Sequence, residues 1–253
     1  MNTPDTEGGD EQSFFSHLIE LRERLLRAIA AVLLVLLVLL PFGNRLYAWL
    51  AAPLLAHLPR GGQMVAIEVA APFFTPLKLA FFVALFVAMP FVLYQVWAFV
   101  APGLYRHEKR LAVPLLVSSV ALFYAGCAFA YFLVLPMVFG FLTGITPEGV
   151  AMMTDIAHYL DFVLVMFLAF GLCFEVPVAV VILVALGWVN PAQLTKSRPY
   201  VIVGAFVVAA ILTPPDILSQ TLLAVPMCLL YEIGILAARL VARSAAMADA
   251  GEV

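Results

Sequence analysis

Charged residues are scarce in this sequence. Asp, Glu, Lys and Arg make up 11% of its 253 residues, whereas 65% are hydrophobic. Soluble domains carry about 25% charged residues, so this composition excludes an ordinary soluble domain and predicts that lipid surrounds most of the chain. With 13 basic residues and a net charge of −3, the chain offers no broad basic surface, and we expect no nucleic acid partner.

Sequence signals for metal, nucleotide or disulfide sites are also missing. The three cysteines lie singly in apolar runs, which excludes a CxxC metal site and a disulfide framework. The four histidines show no HExxH spacing, and no GxxxxGKS or GxxxxGKT phosphate loop occurs. We therefore expect no metal and no cofactor, and an enzyme is the weakest functional hypothesis.

Long apolar segments are what the sequence has in abundance. They lie at about 25–42, 77–100, 111–137, 160–186, 200–212 and 217–237. A membrane span requires roughly 20 residues, and a segment in lipid must satisfy its backbone hydrogen bonds as a helix. We predict an all-α polytopic protein in which residues 1–253 form one membrane domain with six transmembrane helices. Residues 1–12, polar and acidic without signal-peptide features, are expected to be a disordered tail.

Proline occurs inside four of these segments, at Pro90, Pro136, Pro177 and Pro226. Because proline removes a helical hydrogen bond, we expect bent helices whose freed carbonyl groups are satisfied by neighbours. We find no internal repeat, so the inverted-repeat signature of many secondary transporters is missing.

The distribution of basic residues predicts the orientation in the membrane. Lys and Arg accumulate on the cytoplasmic side of membrane proteins. On one side of the membrane, the ends of the predicted spans and the segments that connect them contain only three basic residues, Arg45, Arg60 and Lys78. Both termini are therefore predicted to be cytoplasmic. The other ten basic residues lie on the side predicted to be cytoplasmic: Arg22, Arg24, Arg27, Arg106, Lys109, Arg110, Lys196, Arg198, Arg239 and Arg243.

The last two apolar segments look short. Residues 200–212 would extend about 20 Å as a helix, against a hydrocarbon core of roughly 30 Å, and Glu232 interrupts the apolar part of the sixth segment. Two arrangements remain open. Spanning helices that thin the bilayer are favoured, because Pro214, Pro215 and Asp216 suit an aqueous turn; the alternative is a re-entrant hairpin.

The connection between the first two spans, about 43–73, contains a further helix signal. Leu46, Trp49, Leu50 and Leu54 recur at helical spacing behind Arg45. This pattern predicts a short interfacial helix with an aromatic anchor, for which a packing cap over the bundle is the favoured role. Residues 65–69 alternate in the manner of an extended segment.

Glu175 stands out as an ionisable residue near the middle of the fourth span. A carboxylate in lipid is costly, so it is expected to face protein or a water-filled cavity. It is either a hydrogen-bonded packing residue or a polar point in a groove where a substrate or partner helix docks.

The most specific sequence motifs lie in the segments predicted to be cytoplasmic. An amphipathic interfacial stretch before the first span reads His-Leu-x-Glu-Leu-Arg-x-Arg from His17. After the second span come Tyr-Gln-x-Trp-x-Phe from Tyr94 and Ala-Pro-x-Leu-Tyr-x-x-Glu from Ala101. Phe-Glu-Val-Pro from Phe174 and Thr-Pro-Pro-Asp-x-x-Ser-Gln from Thr213 follow. These ordered blocks resemble the TatC family of the twin-arginine protein translocase.

The resemblance implies a six-helix, glove-shaped receptor that binds paired-arginine signal peptides of folded cargo proteins. It also implies TatA- and TatB-type single-span partner subunits, a multimeric complex, and transport driven by the proton-motive force. It assigns signal-peptide binding to Glu20 and Glu108, with Arg22 and Arg24 in the same motif. It further implies that Glu175 is the groove carboxylate, and that Thr213 and Gln220, with Asp216 in the same motif, form the partner-subunit contact.

Two alternatives accompany this interpretation. Glu20 is four residues before Arg24. Judged without the resemblance, such a pair usually marks only a solvent-exposed face of a helix and no binding site. At the level of function, the alternative is a proton-coupled small-solute transporter that uses Glu175 as its relay.

Overall fold

The computed structural model describes residues 7–55, 64–100, 112–145, 153–212 and 217–251. Of residues 7–16, 53–54, 100, 112, 218–219 and 244–251 it describes the backbone only. Within these ranges the chain is helical, and the only extended pairing is an isolated bridge between Val65 and Asp155. The predicted all-α fold is confirmed.

The helices follow the predicted apolar segments. Five helical stretches are long and apolar enough to cross a membrane: His17–Ala52, Ala71–Phe99, Val113–Gly144, Ile156–Ala185 and Gln220–Arg243. The helix Arg198–Leu212 is apolar but shorter. In chain order the helices are α1 (Glu7–Leu39), α2 (Gly43–Leu55), α3 (Ala71–Val100), α4 (Ala112–Phe129), α5 (Leu135–Gly144), α6 (Ile156–Phe174), α7 (Val176–Ala185), α8 (Pro191–Lys196), α9 (Arg198–Leu212) and α10 (Ile217–Gly251).

Two of the four prolines coincide with an interruption of regular helix. A π-helical turn, Ala130–Val134, joins α4 to α5 directly before Pro136. Helix α6 ends at Phe174, and Pro177 lies in the first turn of α7. Both interruptions fit the hydrogen bond that proline removes. Pro90 and Pro226 lie inside the continuous helices α3 and α10.

The predicted N-terminal tail overlaps the start of α1. Helix α1 begins at Glu7, within residues 1–12, and the disorder expected for this tail stays a prediction. The sequence of this stretch is acidic, and acidic residues favour the start of a helix. Residues 1–6 lie outside the described residues.

The expectation of two short final helices is right for α9 and wrong for α10. Helix α9 has 15 residues, whereas α10 has 35. Glu232 lies within the continuous helix α10, where its Oε2 atom is 2.6 Å from an Arg198 Nη2 atom. The ion pair compensates the carboxylate that the sequence showed as an isolated charge.

Helix α2 follows α1 after a 3-10 turn at Leu40–Phe42 and covers the residues for which the sequence predicts a short helix. Leu50 and Ala51 are buried, and Leu46 packs against the same core. The Tyr159 hydroxyl donates to the Leu50 carbonyl oxygen at 2.7 Å, which ties α2 to α6. Trp49 is largely uncovered by protein, and its role as an interfacial anchor stays a prediction.

Asp155 caps the N-terminus of α6, at the end of the bundle next to α2. Its carboxylate accepts from the backbone amides of Ile67 at 3.1 Å, Ala157 at 3.2 Å and His158 at 3.1 Å. The hydrogen bonds from Ile67 and then His158 hold the pKa of Asp155 at about 2. A lowered carboxyl pKa means that the ionised cap, and the stability it contributes, is lost only as the pH falls toward 2.

Most of the contact between helices is made by a few helix pairs. Helix α1 packs mainly against α3, α4 against α6, and α7 and α9 against α10. A large core of buried side chains joins α3, α5, α6 and α10, and a smaller one joins α7, α8 and α10. We call the end that carries the start of α1 and the end of α3 the Glu20 end, and the opposite end the α2 end.

Candidate functional site

Glu20 lies on the N-terminal part of α1 in an ion pair with Arg24. Its Oε1 atom accepts from Arg24 Nε at 3.0 Å and from Nη2 at 2.5 Å. The side chains are 36% and 21% exposed, respectively. The i,i+4 pair expected from the sequence is therefore present. Arg22 is exposed, and the described residues give it no ion pair.

A ring contact joins the two motifs at the Glu20 end. The His17 ring stacks on Phe99, with ring centroids 4.2 Å apart and planes at 19°. Phe99 lies in the last turn of α3 and belongs to the Tyr-Gln-x-Trp-x-Phe block, in which Gln95 and Trp97 are buried. The folded chain thus places the Glu20 motif beside a block that lies more than 70 residues away in the sequence.

An apolar cavity opens beside this contact. Its volume is about 390 Å³, which is within the usual range for ligand sites. His17 and Phe99 form one side, and α7 with the turn that follows it forms the other. The cavity is lined by His17, Phe99, Ala179, Ile182, Leu183, Leu186 and Trp188.

The cavity is aligned with Glu175 along α7. Glu175, Ala179, Ile182 and Leu186 are spaced by four, three and four residues, which places them on one face of a helix. Ala179 is one turn, about 6 Å, from Glu175. Glu175 therefore lies in line with three of the residues that line the cavity, Ala179, Ile182 and Leu186.

Glu175 itself lies between α6 and α7 and contacts α4. Its Oε2 atom accepts from the Ser119 hydroxyl at 2.6 Å, and Ser119 is only 1% exposed. Its Oε1 atom is buried and has no partner among the described residues. One oxygen thus matches the packing interpretation, while the other retains hydrogen-bonding capacity for a visiting group.

The predicted partner contact is described only at Gln220, in the first turn of α10. The Gln220 Nε2 atom donates to the Phe206 carbonyl oxygen of α9 at 3.0 Å. This bond links the final two helices close to the turn between them. Thr213 and Asp216 lie outside the described residues, and so does Glu108, the second predicted signal-binding carboxylate.

Sequence reasoning missed the α7 side of the cavity. Leu183, Leu186 and Trp188 belong to an apolar run, and nothing in that run distinguishes residues that face a cavity from residues that face lipid. The spacing from Glu175 to Leu186 was the available signal, but its use required knowing that Phe99 packs nearby.

Comparisons with known proteins place the chain in a family. The family model described as Sec-independent protein translocase protein (TatC) matches residues 16–226. A protein named Sec-independent protein translocase protein TatC from Azotobacter chroococcum is 60% identical over 92% of this chain and 90% of its own. The protein of that name from Escherichia coli K12 is 58% identical over 91% of this chain and 89% of its own length.

Solved structures agree with the sequence matches. A crystal structure of the twin-arginine translocase receptor TatC superposes with a TM-score of 0.78 at 39% identity, covering 88% of this chain and 98% of that one. A second structure, of the receptor in DDM, gives a TM-score of 0.80 at 38% identity, covering 88% and 99%. By sequence and by fold, the chain belongs to the TatC family of Sec-independent protein translocases.

Proposed function

We propose that this chain is the receptor of a bacterial twin-arginine translocase, in the inner membrane with both termini in the cytoplasm. It binds the paired-arginine signal peptides of folded proteins at the Glu20 end. One observation carries the proposal: the Glu20 motif and the Tyr94–Phe99 block meet through the His17–Phe99 contact beside an apolar cavity. The family relationship does not favour the small-solute transporter.

The arginines of the signal bind to carboxylates. Bidentate hydrogen bonds from guanidinium to carboxylate are among the strongest in proteins, and lysine offers only a compact point charge. Glu20 is partly exposed and bound by Arg24, in a kind of pair that contributes only a few tenths of a kcal/mol. An incoming arginine therefore displaces or joins Arg24 at little cost. Glu108 is the second carboxylate, and Arg22 and Arg24 orient the motif.

The apolar part of the signal follows its basic part into the cavity. Signal peptides carry an apolar region of about 7–15 residues after the positively charged one. A cavity lined by Phe99, Ile182 and Leu183 beside Glu20 suits that order of charge and hydrophobicity. The same surface leads along α7 toward Glu175, whose free oxygen meets a polar group of the docked segment.

The translocase needs further subunits. We propose that TatA- and TatB-type single-span proteins contact the turn formed by Thr213, Asp216 and Gln220, within a multimeric complex that uses the proton-motive force. Gln220 uses one amide hydrogen on Phe206, and an amide side chain retains a second N–H and its carbonyl oxygen for another helix.

The test is a double substitution, Glu20→Gln with Glu108→Gln. Each charge-assisted hydrogen bond contributes about 1.5–3 kcal/mol, so loss of both carboxylates lowers signal affinity by about two decades or more. The measurement is site-specific crosslinking of a paired-arginine signal peptide to the membrane-inserted protein, at matched protein level.

Glu23→Gln is the matched control. Glu23 forms the same i,i+4 pair, with Arg27 at 3.3 Å, on the same helix one turn away. We expect the Glu23→Gln variant to crosslink the signal peptide as well as the wild-type protein does. Wild-type crosslinking by the double variant, at normal level and with partner subunits bound, would defeat the assignment.

A further inference from the structure

A second cavity lies at the α2 end, on the far side of the bundle from the signal site. Its volume is about 590 Å³, it lies between the N-terminal parts of α3 and α6, and Leu36 of α1 also lines it. We infer that it binds the headgroup of a zwitterionic phospholipid of the phosphoethanolamine class. This inference does not depend on the proposed signal site. The charged and apolar residues that carry it are Leu36, Glu68, Phe74, Lys78, Phe81 and Asp161.

The depth of the cavity in the membrane suits a headgroup. Lys78 is seven residues into α3 and Asp161 five residues into α6, which corresponds to about 8–11 Å from the helix starts. Helix α3 has 30 residues and is therefore about 45 Å long, some 15 Å longer than the hydrocarbon core. The charged atoms thus lie near the boundary between lipid headgroups and hydrocarbon.

An ion pair at this boundary remains open to a ligand. The Lys78 ammonium binds the Asp161 carboxylate across the cavity, yet the two side chains are 48% and 53% uncovered by protein. An ammonium group has three N–H donors, and a carboxylate accepts several hydrogen bonds. The uncovered atoms of the pair lie at the level of the lipid boundary, where polar groups without partners are costly. A ligand that completes it must offer an acceptor to Lys78 and a donor to Asp161.

Glu68 determines the sign of the remaining charge. It lines the cavity, is exposed, and has no ion pair among the described residues. His158 also lines the cavity, but its Nδ1 atom is bound to Asp155 Oδ2 at 2.8 Å. Lys78, Asp161 and Glu68 together leave one negative charge. A ligand with a positively charged N–H donor is therefore favoured over one that is only anionic.

Phosphoethanolamine is the common lipid headgroup that meets these conditions. Its phosphate accepts hydrogen bonds from Lys78, and its ammonium donates to Glu68 and Asp161. Phosphocholine carries the same charges but no N–H donor, and phosphoglycerol adds a further negative charge to the site. Leu36, Phe74 and Phe81 provide an apolar wall beside the charged groups, against which acyl chains pack.

The test is native mass spectrometry of the full chain in detergent, with phosphatidylethanolamine, phosphatidylcholine and phosphatidylglycerol of identical acyl chains. We expect the wild-type protein to retain phosphatidylethanolamine about tenfold more than either of the others, the effect of a charge-assisted hydrogen bond. Glu68→Gln, which breaks no described ion pair, abolishes this preference. Lys78→Met with Asp161→Asn, which leaves neither charge unpaired, lowers binding of all three lipids.

Glu23→Gln removes an exposed carboxylate at the opposite end and leaves lipid binding unchanged. Equal retention of the three lipids by the wild-type protein, or an unchanged preference in Glu68→Gln, would overturn the inference. A photo-crosslinker at Phe74 provides an independent measurement in membranes. Capture of phosphatidylethanolamine supports the site, whereas capture of a single-span partner subunit would show that the cavity is a helix-docking site.

Discussion

Glu175 shows how a single residue can serve both packing and function. Its Oε2 atom is bound to Ser119, and its Oε1 atom is buried without a partner among the described residues. Burying a polar group without a hydrogen bond costs about 1–3 kcal/mol. Such a cost is tolerated where another molecule supplies the missing partner, which is the reason to place Glu175 in a docking groove.

Substitutions at Glu175 separate hydrogen bonding from charge. Glutamine keeps an acceptor for Ser119 and removes the charge, whereas leucine removes both. We expect Glu175→Gln to retain most of the export of a paired-arginine substrate and Glu175→Leu to reduce it by about tenfold or more. Export rates at matched protein level measure the difference. If glutamine were as damaging as leucine, a charged or titrating role would replace the docking role.

Individual site residues were predictable where the signal is local in sequence. The spacing of Glu20 and Arg24 predicted their pair, and the apolar surroundings of Glu175 predicted a carboxyl group that faces protein. The partner of Glu175 was not predictable, because Ser119 lies on another helix 56 residues away. The His17–Phe99 contact was hidden for the same reason.

At the scale of elements, a close contact between α7 and α10 depends on Gly234. A Cβ atom at this position would lie 2.9 Å from Pro177 Cα and 3.2 Å from Val180 Cβ. Pro177 lies two residues after Glu175, in the first turn of α7, so this contact holds α10 against the start of α7. Gly204 in α9 has open space around the same position, with nothing within 4 Å.

Alanine at these two glycines should have opposite effects on stability. Gly234→Ala forces backbone or side-chain shifts, which typically cost about 1–3 kcal/mol in a packed contact. Gly204→Ala meets no obstacle and gains up to about 1 kcal/mol of helix propensity. Thermal unfolding of the purified protein in detergent distinguishes them. Equal midpoints for the two variants would show that α7 and α10 do not pack as closely as described.

Helix existence was easier to predict than helix extent. The apolar segments located each long helix, because a chain in lipid has few alternatives to the helix. Glu232 misled the expectation for α10, because its partner Arg198 lies 34 residues earlier in the sequence. Sequence shows a charge, but it does not show the neutralising charge that the fold places beside it.

The whole molecule presents different chemistry at its two ends. The Glu20 end combines a partly exposed carboxylate with an apolar cavity, and the α2 end combines a mixed-charge cavity with a helical cap. With 15 residues, α9 extends only about 23 Å against a core of roughly 30 Å. The favoured arrangement of α9, a spanning helix that thins the bilayer locally, remains a prediction, as does the cytoplasmic position of both termini.

Export of a folded protein tests the central claim most directly. The experiment expresses this chain in a bacterial strain that lacks its own TatC, with a cofactor-loaded reporter that carries a paired-arginine signal. The account predicts that the folded reporter reaches the periplasm, and that replacing both signal arginines by lysine stops its export. A paired-arginine reporter that stays in the cytoplasm while the chain is inserted at normal level, with its partner subunits present, would contradict the account.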